Sequence, residues 1–600
     1  MNTFDLFDVI DDDASDASSV TIDNDPDRLY FLRETFQTSS AIASSPSGDF
    51  SDLTDNEVIH DGEYGTDECV EILREDWLAS ARTAKSPSPA FPGKRQLHEF
   101  CGDDGIVYKP GQSVELYVVD DDNENTFLRI CSIWKDLNGE ISFGGRQLRK
   151  FWRRNTHLHL PKGSKWRNEL VWVANETAEI PLGLVRRFVI VHFTNLCHID
   201  QDPQKINYPN SLFCRLKAVT LKDTHTSVEY LTFEEADVNF RVPSTSLRHC
   251  WRGETALFGS EKKPEEGSQP PVVVLDDIYD DSQDPILKQK AQRTYTFGDG
   301  FCGAGGISCG AKAAGLRIKW AFDSSSHAAA TYQLNFDGVV IEQSDIFNFL
   351  TNDENFLRVD VSHGSPPCQT FSPAHTIAGP NDDANSACIF SCGNLIRRAK
   401  PRVHTMEETS GLLDRHKETF LEVIRDFVEI GYSVRWDLLN CMEYGVPQRR
   451  RRLIIIASGP GERLPRLPRP THGPPGSGLL HLTTINQVIS TIPTGTPDHD
   501  VAGARSRGSR NRRAPFDANQ QARTITCGGG DNNYHPSGRR GFTNREFACL
   551  QTFPLNFRFG RREVRKQIGN AVPPLLAKAV YREIIRSLQE TDERELRQNQ

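Results

Sequence analysis

Residues 298–310 read GDGFCGAGGISCG, and this stretch decides the fold. The run Arg293–Phe301 leads into the glycines as a strand, and the residues beyond them open a helix. A glycine-rich turn between strand and helix bends sharply and brings the backbone close to a ligand at the positive end of the helix. Alone, such a turn suits a dinucleotide or a plain strand–helix joint equally well. Two acids downstream extend the pattern. Asp323 follows a second strand, Arg317–Phe322, where a carboxylate accepts from both hydroxyls of a ribose. Asp345 follows a third apolar stretch, where it accepts from an adenine amine.

Outward from that turn, strands and helices alternate as in a parallel α/β sheet. A helix is predicted through Ala328–Gln333, and strands over Val359–His363, Arg402–Met406, Ser433–Leu439 and Leu453–Ala457. Residues 459–520 lose this pattern and are rich in Pro, Gly and Arg. Helix returns over Thr543–Leu550 and Pro573–Gln589. The first of these four strands, Val359–His363, runs into VSHGSPPCQTFSPAH (361–375). A buried cysteine is ordinarily inert filler. Cys368 differs: Pro366 and Pro367 stiffen its loop, Gln369 and Ser372 supply polar contacts, and the end of a strand faces the ligand crevice of an α/β sheet.

Six stretches, in order, resemble the DNA cytosine-C5 methyltransferases: FCGAGGISCG (301–310), GSPPCQTFS (364–372), PRVHTMEETSGLL (401–413), YGVPQRRRRLIII (444–456), REFACLQTFP (545–554) and QIGNAVPP (567–574). The resemblance covers roughly residues 292–590. It implies a Rossmann-like class I methyltransferase domain with a small target-recognition lobe, and S-adenosylmethionine as cofactor without a metal. It makes Cys368 the nucleophile, with Gln369 beside it. Glu407 contacts the base, while Arg450 and Arg452 line the pocket. Phe301, Gly303, Gly305, Gly306, Asp323, Asp345, Pro367, Asn570 and Val572 hold the cofactor. Thiolate addition to C6 turns a poorly nucleophilic C5 into an enamine carbon, and the ring must first leave the duplex. Glu407 is expected to donate to N3 and Arg452 to stabilise O2.

One departure stands out. Most of the family reads Glu-Asn-Val where this chain reads Glu407-Glu408-Thr409. Glu408 either helps keep Glu407 protonated or points away. The substitution resembles the fungal repeat-induced-point-mutation-defective (RID) subclass, implying repeat silencing in a nucleus. Two alternatives stay open: a transfer-RNA cytosine methyltransferase, which shares a Pro-Pro-Cys-Gln loop, and a catalytically weak chromatin scaffold.

Residues 501–566 carry 14 Lys/Arg against 4 Asp/Glu, which reads as a phosphate-contacting surface or an ordinary solvated one. Arg512, Arg513, Arg523, Arg539 and Arg540 are the candidate DNA contacts. The recognition region is placed at 459–540, between catalytic segments 292–458 and 541–590.

Upstream, residues 100–255 carry short β-branched and aromatic strands: Val114–Val119, Phe127–Trp134, Leu170–Ala174 and Phe188–Phe193, with a hairpin turn at Asn138-Gly139. This predicts a barrel-like all-β domain. GQSVELYV, FLRICSIWKDLNG, NELVWVANETAEIPLGLV and SLFCRLKAV are similar to a bromo-adjacent homology (BAH) domain, which implies histones or other chromatin proteins as partners. Trp134, Trp152 and Trp172 are either walls of a methyl-lysine cage or core aromatics. A charged linker, 256–291, contains Val272–Leu275 beside Asp276 and Asp277, a strand able to add to a small modifier such as SUMO or to pack on its own domains.

Residues 1–80 hold 21 Asp/Glu and 3 Lys/Arg, so the net charge of −11 hides a tail of −18 on a body of +7. The tail, 1–95, reads as largely disordered, with a short helix near Glu68–Ala79. The start lacks the basic and apolar regions of a signal peptide, and no run of eighteen apolar residues predicts a membrane span. The 14 cysteines show no paired CxxC arrangement; Cys388 and Cys392 are half a site without a partner pair.

Overall fold

The computed structural model describes residues 94–598, except 104, 120–124, 151–167, 198–211, 222–223, 254–292, 372–386, 508–514 and 528–533. The acidic tail, the helix near Glu68–Ala79, the linker with Val272–Leu275, Trp152, Arg512 and Arg513 therefore lie outside the described residues.

The catalytic half is built on strands β9 (Thr296–Gly300), β10 (Arg317–Phe322), β11 (Val340–Glu342), β12 (Val361–Gly364), β13 (Val403–Thr409), β14 (Ser433–Asn440) and β15 (Arg451–Ser458). Their order across the sheet is β11-β10-β9-β12-β13-β15-β14. The first five run parallel, while β15 is antiparallel to both β13 and β14. Every residue of β12 and β13 is buried, as expected of central strands covered on both faces. One face packs helices α2 (Gly306–Ala314) and α8 (Pro574–Gln598) through Ile307, Ala311, Val580, Tyr581 and Ile584. The other packs α4 (Ser391–Ala399) and α5 (Lys417–Glu429) through Ile396, Phe420, Ile424 and Phe427. α2 lies so close to α8 that a Cβ on Gly310 would sit 2.4 Å from that of Ala577.

The upstream strands are β1 (Ser113–Val119), β2 (Asn125–Lys135), β3 (Ile141–Lys150), β4 (Glu169–Pro181), β5 (Val185–Val189), β6 (Val191–Phe193), β7 (Leu212–Leu221) and β8 (Thr224–Tyr230). β1, β2, β3, β4 and β7 pair in sequence, β5 pairs with β1, and β6 pairs with β7. Only Ile190 separates β5 from β6, so the ring closes as a barrel around Val114, Leu128, Phe143, Leu170 and Phe193. The single strand expected over Phe188–Phe193 is broken at Ile190, because its two halves pair with different neighbours. Gly139 takes φ +90° in the hairpin expected at Asn138-Gly139.

The barrel is fused to the catalytic sheet. β8 pairs antiparallel with β14 (Ser227 opposite Arg435, Val228 opposite Val434), making one 16-stranded sheet. Nothing local in the sequence announced this junction. Helix α1 (Ser244–Arg252) follows the barrel, and its buried Arg248 reaches Glu595 of α8 at 2.6 Å. The described tryptophans are not open cage walls. Trp134 is buried and donates from Nε1 to Ser132 Oγ at 2.8 Å. The ring of Trp172 already carries Arg146, with Cζ 4.2 Å from its centre, and Lys217 at 5.9 Å. Among the described residues, no helix is long and apolar enough to cross a membrane.

Candidate active site

The chain leaves β9 and β12, adjacent parallel strands, at the point where the sheet order reverses; such a switch point opens a crevice at the strands' carboxyl ends. The glycine turn after β9 and the Pro-Pro-Cys loop after β12 therefore lie side by side, joined by Ser365 N–H donating to Gly300 O at 3.3 Å. The turn runs through left-handed residues Phe301, Gly303 and Gly305 (φ +57°, +53°, +91°) before α2 begins. Asp323 fixes it from below: Oδ2 accepts from Gly303 N–H at 2.9 Å, and Oδ1 from Ser325 N–H at 2.8 Å. Asp345 caps the short helix Ile346–Phe349, accepting from Asn348 N–H at 2.9 Å. Gly306 backs onto the Val572 carbonyl, where a Cβ would lie 2.4 Å away. Asn570 ends helix α7 (Val564–Asn570), its Oδ1 2.6 Å from Cys527 Sγ.

Two observations suit this turn to a polar ligand. A Cβ on Gly303 would meet open space. Asp299, fully buried in β9, keeps Oδ1 without a partner while Oδ2 accepts from Ser308 at 2.6 Å. Burial pushes its carboxyl up to about 7, helped by the charge of Asp323 and opposed by the Ser308 bond. Sequence reasoning passed over Asp299; the signal was an acid inside the strand that leads into the turn.

Cys368 is half-buried in a turn that Phe371 N–H closes on its carbonyl at 3.1 Å, with Pro367 and Gln369 half-buried on either side. Burial pushes the thiol far up, and the acids Glu408 and Glu407 add to the shift, while Arg452 opposes it. The next strand, β13, presents these acids. Arg452 of β15 reaches Glu407, with Nε 2.6 Å from Oε1. Strand alternation turns Glu408 to the opposite face, with His404 and Met406. It is fully buried, its Oε2 accepting from Thr409 N–H at 3.2 Å and its Oε1 without a partner. Burial, then the charge of Glu407, holds Glu408 well above the usual carboxylate range. It thus points away from Glu407's partner, yet its charge is felt at Cys368.

Arg450 departs from its expected place in the pocket lining. Its buried guanidinium donates to the carbonyls of Ile525, Gly569 and Ala571 at 3.0–3.1 Å. Burial and neighbouring Arg452 bring it down to about 10. Gln448 and Gln551 reinforce that role, bonded to one another at 2.6 Å and to Ile525 N–H and the Ala571 carbonyl. Arg450 therefore holds together the segments around the site.

The arginines beyond the pocket divide too. Gln448–Arg449 pairs in parallel with Ala522–Arg523, setting exposed Arg449 and Arg523 side by side, with Arg523 over Phe516. Arg539 is exposed. Arg540 is not available to phosphate: it is buried and holds Glu546 through two bonds of 2.7 Å. Between 459 and 507 the chain forms only short elements, His472–Gly473, Leu480–His481, Ile485–Ile489 and Val501–Arg507. Among the described residues, no group of three or more His, Cys, Asp or Glu side chains is arranged to hold a metal ion.

A profile of the C-5 cytosine-specific DNA methylases matches residues 295–472 and 483–586. The type II methyltransferase M.NgoFVII of Neisseria gonorrhoeae is 33% identical over 312 residues, 46% of this chain and 82% of that protein. M.AplI of Arthrospira platensis is 33% identical over 310 residues, 48% of this chain and 86% of that protein. M1.HphI of Haemophilus parahaemolyticus is 28% identical over 326 residues, 48% of this chain and 87% of that protein. Both the match and the geometry it falls on assign the chain to the C-5 cytosine-specific DNA methylase family.

Proposed function

We propose that Cys368 is the nucleophile with which this family member methylates C5 of cytosine in DNA. The observation that carries the reading is the convergence of the Cys368 loop, the Glu407–Arg452 pair and the glycine turn at one switch point of the sheet. S-adenosylmethionine, when bound, supplies an electrophilic methyl group. Phe301, Gly303, Gly305, Gly306, Asp323, Asp345, Pro367, Asn570 and Val572 would hold it. The Cys368 thiolate forms a bond to C6 of the extruded ring, and the C5–C6 π pair moves to C5 as an enamine. Glu407 and Arg452 face the N3 and O2 edge, where negative charge develops. Once C5 carries its new substituent, its proton passes to a base, the electron pair returns to C5–C6, and the S–C6 bond breaks. Burial and the nearby acids favour the thiol over the thiolate, so its proton passes to solvent as the extruded ring arrives.

DNA is engaged by a rim of Arg523 and Arg539, with the chain's 459–540 segment as recognition region between catalytic segments 292–458 and 541–590. The Glu407-Glu408-Thr409 sequence supports placing the protein with the fungal RID subclass, acting in nuclear repeat silencing. The four strand-rich stretches support reading 100–255 as a BAH-like platform for histones or other chromatin proteins. Val272–Leu275 supports a SUMO contact in the linker; loss of SUMO binding by Val273→Lys is its test, and no binding by the unaltered chain ends it.

The decisive experiment transfers labelled methyl groups to unmethylated DNA, hemimethylated DNA and transfer RNA, with Cys368→Ser as control. Label in DNA that disappears in the variant is expected. Label in transfer RNA alone would replace the substrate. Cofactor binding without turnover on any of them would make the chain a scaffold.

A further inference from the structure

The loop that carries Cys368 leaves β12 through a pair of prolines. Pro366 and Pro367 have no N–H to donate. Its backbone bonds include Ser365 N–H to the Gly300 carbonyl and Phe371 N–H to the Cys368 carbonyl. What fixes the loop's entry is a side chain that neither the family resemblance nor the mechanism above uses. His363, the penultimate residue of β12, is buried, with Nε2 2.5 Å from Ser365 Oγ and Nδ1 2.8 Å from Thr405 Oγ1 of β13. Thr405 Oγ1 lies 3.0 Å from Tyr581 OH of α8. A neutral imidazole has one donor and one acceptor nitrogen, and a hydroxyl on each side satisfies either tautomer. Burial, together with His404 nearby, keeps His363 in that neutral form.

We infer that His363 is a positioning residue for the nucleophile: it clamps Ser365, three residues before Cys368, to Thr405 on the strand that bears Glu407, and through Thr405 to Tyr581 of the last helix. The nucleophile's loop and the base-contacting strand are thereby held as one unit, with α8 as its backing. Thr405 and Glu407 lie two residues apart on one face of β13, so the clamp sets the Cys368 thiol relative to the Glu407–Arg452 pair. A displacement of about 1 Å between reacting groups costs on the order of 10²-fold in rate.

The inference rests on Cys368 being the nucleophile, and the test separates the two. DNA carrying 5-fluorocytosine traps the covalent adduct, because fluorine at C5 cannot leave as a proton does. Adduct formation is timed with the full chain, Ser365→Ala, His363→Ala and the double variant, alongside KM for DNA, affinity for S-adenosylhomocysteine and melting temperature. Each single variant is expected to form adduct about 10- to 100-fold more slowly, with KM and cofactor-product affinity within about two-fold. The double variant should be no slower than His363→Ala, since both changes break one clamp. Should His363→Ala fail to fold, Thr405→Val, which keeps the shape and removes the shared hydroxyl, takes its place. Wild-type rates in folded single variants, or losses that multiply in the double variant, overturn the clamp. No adduct in the wild-type chain overturns the nucleophile itself, and the clamp with it.

Discussion

The two ends of strand β13 each carry a buried ion pair, and they are built for different purposes. At the amino end, Arg402 is 3% exposed and is enclosed by Glu462 at 2.8 and 3.0 Å and Asp592 at 2.6 Å. Arg248 and Arg293 add their charges to the same acids, tying α1, α8 and the start of β9 together. At the carboxyl end, Arg452 meets Glu407 beside the nucleophile's loop. Both pairs are short and largely dry. The first is held mostly within protein and ties layers together. The second stands at the sheet's crevice, where a substrate completes it. In an α/β sheet, the end of a strand says more about a buried charge than burial does.

Two substitutions separate the two ends. Arg402→Ala leaves Glu462 and Asp592 only the more distant charges of Arg248 and Arg293, and removing one partner of a buried pair costs about 3–5 kcal/mol. Urea denaturation should show that loss, while methyl transfer per folded molecule stays near wild type. Arg452→Lys removes the fork that faces Glu407. Turnover should fall about 10²-fold, the usual cost of one transition-state donor, with little change in melting temperature. If Arg452→Lys melts as early as Arg402→Ala, the distinction between the ends collapses.

Glu408→Gln is a smaller and pH-dependent test. The folded carboxyl is held above its ordinary value by burial and by Glu407, so ionising it opposes folding. Its stability contribution is complete below the unfolded value of 4.5 and is lost as pH rises from there through the folded value. The neutral amide does not titrate, so the variant should melt above wild type, with a gap that widens from acid towards neutral pH. A gap that is constant across that range would show that Glu408 is not a strained acid. The smallest effect belongs to the rim: Arg523→Ala and Arg539→Ala should each weaken DNA binding across all sequences and reduce the slope of log affinity against log salt by about 1. Arg540→Ala should instead lower stability, because it strands Glu546.

Much of the frame was legible because apolar runs and caps are local. The strand expected at Arg317–Phe322 has those bounds, and Thr543 caps its helix reciprocally with Glu546. The motif order also placed the turn, loop and acids at one edge of the sheet. What stayed hidden depends on partners distant in sequence. In RRRR (449–452), alternation buries Arg450 and exposes its neighbours, and its acceptors lie 75 or more residues away. Arg540 read as a phosphate contact until its pairing with Glu546 was seen. The β8–β14 seam joins strands about 200 residues apart, and neither strand carries a mark of it. His363 read as part of a buried strand, since only the fold shows which two hydroxyls meet its ring.

The most direct test of the central claim is mass spectrometry of the full chain after incubation with S-adenosylmethionine and 5-fluorocytosine-containing DNA. The expected result is one stable protein–DNA adduct, mapped after digestion to Cys368 and missing from Cys368→Ser. An adduct at another cysteine, or methylated product from Cys368→Ser, would contradict the assignment of the nucleophile.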